Sequence, residues 1–446
     1  MRQSSRPPRL GAWRRRAATL CLIALCAPAV AAPPAAPAGP RAIVAQVADA
    51  IDRNFYDPQR AARLAAQLRE EAGAGRYDAD TDPRDLATAL SRRLRPEDNH
   101  FRVEWRDPAL AAAAPRGPGP RPSADAADAS RRRNYGLRAV ETLAGNVGYL
   151  DLRELPDLDF DDPADPARRA LDAALALLAE RDAVIVDLRH NGGGSPASVG
   201  YLTSAFTPRG APIYNRFRAR LDGHTRSFDE APQRWYPQPR LDVPLYVLTS
   251  ARTGSAAEAL AYTLQAARRA TVVGEASAGA ANPGGEFPLA DGYRVFVSTG
   301  SPTNPITGGN WEGRGVQPDI ASGAAQALDT ARLRALERIV AARQDGPAAL
   351  DARWTLEALR AQAAPAAFAA ADYLGEYERL RIEDDNGRLL LRDGRRPPQP
   401  LTALQRDLFC LSDDPAVRLR FERGADGRVA ALETLRSDGR SSRYRR

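Results

Sequence analysis

Four short stretches of the sequence hold residue types whose spacing suits acyl-transfer chemistry. In LTSARTGSAAEALAYTL a run of strand formers ends at Ser250, and Ser255 stands where helical periodicity begins. A serine there is surrounded by the N–H groups of the first helical turn, and the helix dipole adds positive potential. That placement suits a nucleophile whose oxyanion is held by the next N–H, that of Ala256. It suits a plain N-cap serine equally well. In VIVDLRHNGGGSPAS a buried-strand pattern runs into Asn191-Gly192-Gly193-Gly194. Consecutive glycines bring backbone N–H groups close to a ligand, as the other half of an oxyanion hole would require. A tight turn between strand and helix gives the same residues, whereas the GxGxxG spacing of a dinucleotide loop is missing. His100, in RPEDNHFRVEW, is one of only three histidines, with His190 and His224. It is a candidate base, or a surface capping residue. Glu312, in NWEGRGVQPDI, can orient an imidazole or pair with a neighbouring arginine.

As an ordered set the motifs say more than they do singly. DLRxNxGG, TSxxTxSxAE, VVGExxxG and EGxGVxPD follow one another over about 135–325, with DNHF upstream near 100. This series resembles the tail-specific (C-terminal processing) serine peptidase family. It looks most like the branch that contains the tricorn core and the interphotoreceptor retinoid-binding protein modules. The resemblance implies an α/β fold: a crotonase/ClpP-like ββα catalytic domain with an N-terminal helical domain and a small C-terminal antiparallel β domain. It implies Ser255 as nucleophile, His100 as general base and Glu312 as the orienting carboxylate, acting directly or through Asn99. The oxyanion hole would be the N–H groups of Ala256 and of Gly193 or Gly194, with Asn99, Glu258 and Asn191 in support. The other branch uses a lysine about 25 residues after the serine. That position is Ala280, and all 63 basic residues are arginine, so a Ser–Lys dyad is excluded.

The elements that must position these groups are legible in the periodicity. Ile43, Val47, Ile51 and Phe55 recur at a four-residue spacing, which predicts an amphipathic helix. Further helices are expected over 59–72 and 83–94, making 41–106 a helical domain that ends in the His100 strand. Residues 107–134 are rich in Ala, Pro and Arg and read as a linker. Strands at 183–188, 243–250 and 270–275 alternate with helices near 166–180 and 255–268, the pattern of an α/β domain over 135–345. Residues 346–372 read as a helical link, and 373–446, with repeated DGR and NGR turns, as a small β domain.

The chain of 446 residues carries a net charge of +7, but six arginines and no acid fall within residues 1–31, which leaves about +1 for the remainder. A near-neutral body argues against a nucleic-acid partner. Those first 31 residues read as a secretory signal, an apolar run ending at Ala29-Val30-Ala31, with 32–40 as a Pro/Ala linker. Export to the periplasm or outside the cell is therefore expected, without stable membrane insertion after cleavage. Cys21 and Cys26 lie in the signal, so Cys410 alone remains in the mature chain and no intramolecular disulfide is available. One useful cysteine and three histidines make no zinc cluster, and no cofactor or metal is expected. The partner is a peptide or protein substrate, with homo-oligomer contacts possible. The competing reading is a non-catalytic module on the same scaffold that binds an apolar ligand or a peptide.

Overall fold

The computed structural model describes residues 38–108, 124–343 and 345–446. The signal reading and most of the 32–40 linker lie outside the described residues. Pro40 opens the first helix, α1 (Pro40–Asn54), where a missing N–H costs nothing. Ile43, Val47, Ile51 and Phe55 are all fully buried, as the four-residue spacing requires. The helices α2 (Pro58–Gly73) and α3 (Pro83–Leu94) each start at an aspartate cap, Asp57 and Asp82. Their shared core does not close on itself. It takes in Phe101, then Val103 of β1 (Arg102–Trp105) and, from far along the chain, Tyr293, Val295 and Val297. A helix, α4 (Ala124–Arg132), stands inside the stretch that reads as linker; its helix formers outweigh the flanking prolines.

Next come the hairpin β2 (Leu137–Leu143) and β3 (Val147–Leu152), α5 (Pro166–Leu177), β4 (Ala183–Asp187) and α6 (Pro196–Ser204). A second hairpin, β5 (Arg216–Leu221) and β6 (His224–Asp229), precedes β7 (Leu245–Thr249), α7 (Ala256–Ala266) and β8 (Thr271–Gly274). Then follow β9 (Gly284–Pro288), β10 (Tyr293–Ser298), β11 (Gly300–Thr303), β12 (Ile320–Ala321), α8 (Ala327–Ala342) and α9 (Pro347–Ala363). The central sheet has the order β12-β8-β7-β4-β3-β2. It is parallel from β3 through β12, and β2 is antiparallel at the edge. One face packs on α5, α6 and α7 and the other on α8 and α9. Strands buried on both faces are apolar at successive positions, which is why AVIVDL and LYVLT show no alternation.

Two smaller sheets flank this one, β1-β10-β9 and β11-β5-β6. Residues after 373 form an antiparallel eight-stranded meander, β13–β20, from Gly375–Tyr377 to Ser441–Arg445. Its core is built on Tyr373, Phe409 and Phe421 in edge-to-face contact. The whole is a mixed α/β architecture with a C-terminal antiparallel sheet.

Candidate active site

Strands β4 and β7 are hydrogen-bonded neighbours running in parallel, so their C-terminal ends open on the same edge of the sheet. Such an edge is where open α/β sheets place their sites. From β4 the chain enters the glycine turn, and from β7 it enters the loop that leads to Ser255. Three bonds join these two connections: Thr253 Oγ1 donates to Leu188 O at 2.8 Å, Ser250 Oγ to Arg189 O at 2.5 Å, and Gly254 N to Asn191 O at 3.0 Å. Asn191 is fully buried, and its amide also donates to Leu152 O at 3.0 Å.

Ser255 is exposed and immediately precedes α7, with φ 52° and ψ −121°. A side chain with a β-carbon pays about 1–3 kcal/mol for such a backbone. A plain N-cap residue sits in the extended region instead. The strain is held by Glu258, a fully buried carboxylate one turn on. It accepts from Ser255 N (2.8 Å), Ser277 Oγ (2.6 Å), Gly279 N (2.6 Å) and Ala280 N (2.9 Å).

Gly193 lies against the serine. A β-carbon there would come within 2.8 Å of Ser255 Cβ and 3.2 Å of Ala256 N, and its φ is +119°. Gly194 bridges to Leu155 at φ +142°, and a β-carbon there would fall 2.0 Å from Leu155 O. The N–H of Gly193 donates to Asn191 Oδ1 at 2.9 Å. Among the described residues no hydrogen bond takes up the N–H of Gly194 or of Ala256. Gly193→Ala should therefore cut the reactivity of Ser255 at least tenfold and lower the melting temperature, since both the clash and the strain are new. Gly192→Ala, with nothing within 4 Å of its added carbon, should leave both near wild type. Serine-probe labelling rates and thermal melts of the pair check this.

His100 lies in the turn between α3 and β1. Its Nδ1 lies 2.9 Å from Asp98 Oδ1 and 3.4 Å from Glu312 Oε1. Two carboxylate acceptors at one nitrogen place the proton on Nδ1 and leave Nε2 with its lone pair. The hydrogen bond to Asp98 raises the imidazole pKa over the opposing effect of burial, and the charge of Glu312 adds to it. The charge of Glu258 also acts on the ring, so the histidine and the serine helix share one electrostatic environment. Burial opposes ionisation of Asp98, but its bonds from the His100 side chain and N–H outweigh that and hold its pKa below the ordinary value. Glu312 is pushed up by burial, partly offset by His100.

Four consecutive backbone N–H groups clip the two glutamates together. Those of Gly279 and Ala280 go to Glu258, and those of Ala281 and Asn282 go to Glu312 Oε2 at 2.8 and 3.0 Å. The segment that would carry the lysine of a dyad is here a backbone clamp. Trp311, buried against Tyr262 of α7, fixes the turn that carries Glu312.

The structure thus brings together Ser255, Ala256, Gly193, Gly194, Asn191 and Glu258 at one sheet edge, and His100 with Glu312 in direct contact. Asn99 is the exception. It is exposed and makes no hydrogen bond to the imidazole or to either carboxylate. In the turn from Asp98 to His100 the flanking side chains face inward and the middle one faces solvent. The residue that sequence reasoning missed is Asp98. Its signal was the D-x-H spacing of an Asx turn, in which an aspartate oxygen accepts from the N–H two residues on; here that bond measures 2.8 Å. The ligand-capable atoms of Asp98, His100 and Glu312 lie within 4.8 Å of one another, so this group also has a geometry that can hold a cation.

A serine on a strained strand-to-helix elbow, facing a glycine turn with N–H groups unpaired among the described residues, is an arrangement that suits hydrolytic chemistry. Residues 146–322 match the model of peptidase family S41. Among curated relatives, the chain is similar to the chloroplastic carboxyl-terminal-processing peptidase 1 of Arabidopsis thaliana, at 28% identity over 42% of this chain and 36% of that protein. It is also similar to a carboxy-terminal-processing protease of Bartonella bacilliformis, at 28% identity over 41% of each. The match thus spans less than half the length of either relative. A solved photosystem II D1 C-terminal processing protease aligns at 17% identity and a TM-score of 0.41, covering 64% of this chain and 94% of that one. No helix among the described residues is long and apolar enough to cross a membrane.

Proposed function

We propose that the chain is an exported serine peptidase that hydrolyses peptide bonds through Ser255, His100 and Glu312, with no metal or cofactor. The observation that carries this reading is the backbone of Ser255. A serine held at φ 52° against Gly193, next to an Ala256 N–H that finds no acceptor among the described residues, has an energetic cost that a cap does not incur. In the proposed reaction Ser255 Oγ attacks the scissile carbonyl carbon and His100 Nε2 takes its proton. The oxyanion is received by the N–H of Ala256 and that of Gly194, with Gly193 shaping the approach. His100 then returns the proton to the departing amine as the C–N bond breaks. Water attacks the acyl-enzyme by the same route in reverse, releasing the acid and restoring the serine. The crotonase-like ββα description, the tricorn-like branch and export directed by a signal over residues 1–31, ending at Ala29-Val30-Ala31, belong to the same reading.

The test is labelling of residues 32–446 by a fluorophosphonate, in which Ser255 Oγ displaces fluoride from phosphorus. The expected result is one labelled site, at Ser255, with labelling strongly reduced in His100→Ala. A folded protein that does not label would favour the apolar-ligand or peptide-binding module. Prolonged dialysis against a chelator should leave the labelling rate unchanged. A loss restored by added Zn²⁺ would assign the Asp98, His100 and Glu312 group to a metal instead.

A further inference from the structure

The geometry points to Asp98, rather than Glu312, as the positioning residue that orients the His100 imidazole and fixes its tautomer, with Glu312 serving first to fasten the 279–282 loop. The inference rests on the peptidase reading for its catalytic meaning, but not for its structural content. Three observations carry it. Asp98 Oδ1 is the nearer partner of Nδ1, at 2.9 Å against 3.4 Å for Glu312 Oε1. Asp98 is also the more deeply buried, its side chain 3% exposed against 21% for Glu312. A pair withdrawn from water is worth more than one that water screens. Finally, the two carboxylates are tied differently. The same Oδ1 of Asp98 accepts the His100 N–H at 2.8 Å, which locks imidazole and carboxylate into one turn. Glu312 gives its other oxygen to Ala281 N and Asn282 N.

An Asx turn alone does not account for Asp98. Carboxylates that only form such turns sit at the surface, where water satisfies their remaining lone pairs. Here the second oxygen faces the amide of Asn282 at 3.4 Å, inside the protein, and the charge of Asp98 reaches the Tyr56 hydroxyl. The charged or titratable groups that act on His100 are therefore Asp98 from its own turn, Glu312 from the turn after β11 and Glu258 from α7. Phe296 of β10 packs beside the ring, centroid to centroid at 6.3 Å.

The decisive comparison is Asp98→Asn with Glu312→Gln in residues 32–446. Asparagine keeps an oxygen for the Asx turn and removes the charge. With three histidines in the chain, each imidazole can be followed by NMR titration independently of any activity. Asp98→Asn should move the His100 midpoint to lower pH by more than Glu312→Gln does. It should also slow fluorophosphonate labelling at neutral pH by about 10²-fold. The acid limb of the labelling profile should shift down with the midpoint, which a merely structural defect would not cause. A larger shift and a larger loss in Glu312→Gln would overturn the inference. Were Asp98→Asn unable to fold, Glu312→Gln alone decides: a His100 midpoint lowered but still above the ordinary imidazole value, with labelling slowed less than tenfold, supports Asp98, and a collapse of both refutes it. Expected midpoints in a wild-type protein that never labels would uphold the pairing and sink the peptidase reading.

Discussion

Ser255→Ala should abolish fluorophosphonate labelling and lower peptide hydrolysis by about 10⁴-fold or more, while leaving the fold intact or slightly more stable. The first half follows from chemistry. The hydroxyl is the only exposed nucleophile on the elbow, and the residual rate of a nucleophile-less site comes from oxyanion binding alone. The second half follows from the backbone. Alanine at φ 52° and ψ −121° carries the same strain as serine, so that strain does not change. The bond from the residue-255 N–H to Glu258 is made by the main chain and is kept. Labelling rate and thermal melting are the two measurements. Retained labelling would move the nucleophile elsewhere, and a large loss of stability would mean that the serine hydroxyl serves as a cap. His190 and His224 offer no substitute base by position: one is exposed beside the glycine turn and the other lies on the exposed strand β6.

Much of this arrangement was legible in the sequence because it is local. The helices α1 to α3 announce themselves through Pro and Asp at their starts and a four-residue apolar repeat. The strands β4 and β7 do so through unbroken apolar runs. Ser255 and the glycine triplet are set by the ends of adjacent parallel strands, so their order along the chain nearly dictates their meeting. What the sequence hid is long-range. Nothing local says that β10 completes the core of α1 to α3, yet that pairing brings β1 alongside Phe296 and sets His100 beside Glu312. The helix α8 escaped because its buried face is mostly alanine, Ala327, Ala331 and Ala335, which gives little contrast with its surface. The hairpin of β5 and β6 reads as a polar loop because β6 is exposed at every position. Asp98 was visible as a residue but not as a buried one, since one of the groups it meets in the interior, the amide of Asn282, is 184 positions away.

Glu258→Ala should be the most destabilising single change at the site, by about 3–6 kcal/mol, and should silence labelling as well. The carboxylate is completely buried and holds four donors, three of them backbone N–H groups that cannot turn to another acceptor. Each orphaned buried donor costs about 1–3 kcal/mol, with some relief if water enters the space left behind. The Ser277 hydroxyl can rotate, so it adds little. The loss reaches the chemistry by two routes: Ser255 loses the bond that fixes its strained backbone, and the 279–282 segment loosens on Glu312 and hence on His100. Glu258→Gln separates them. With its NH₂ turned towards Ser277 and Gly279, glutamine keeps an oxygen for Ser255 and Ala280 and sets one N–H donor against another only at Gly279. It should therefore fold with a smaller loss of stability and still label, more slowly than wild type. Urea unfolding and labelling rates of the two variants test the scheme. Glutamine as damaging as alanine would show that the negative charge at 258 matters more than its role as acceptor, and would make its field at His100, rather than its clamp on the elbow, the main loss.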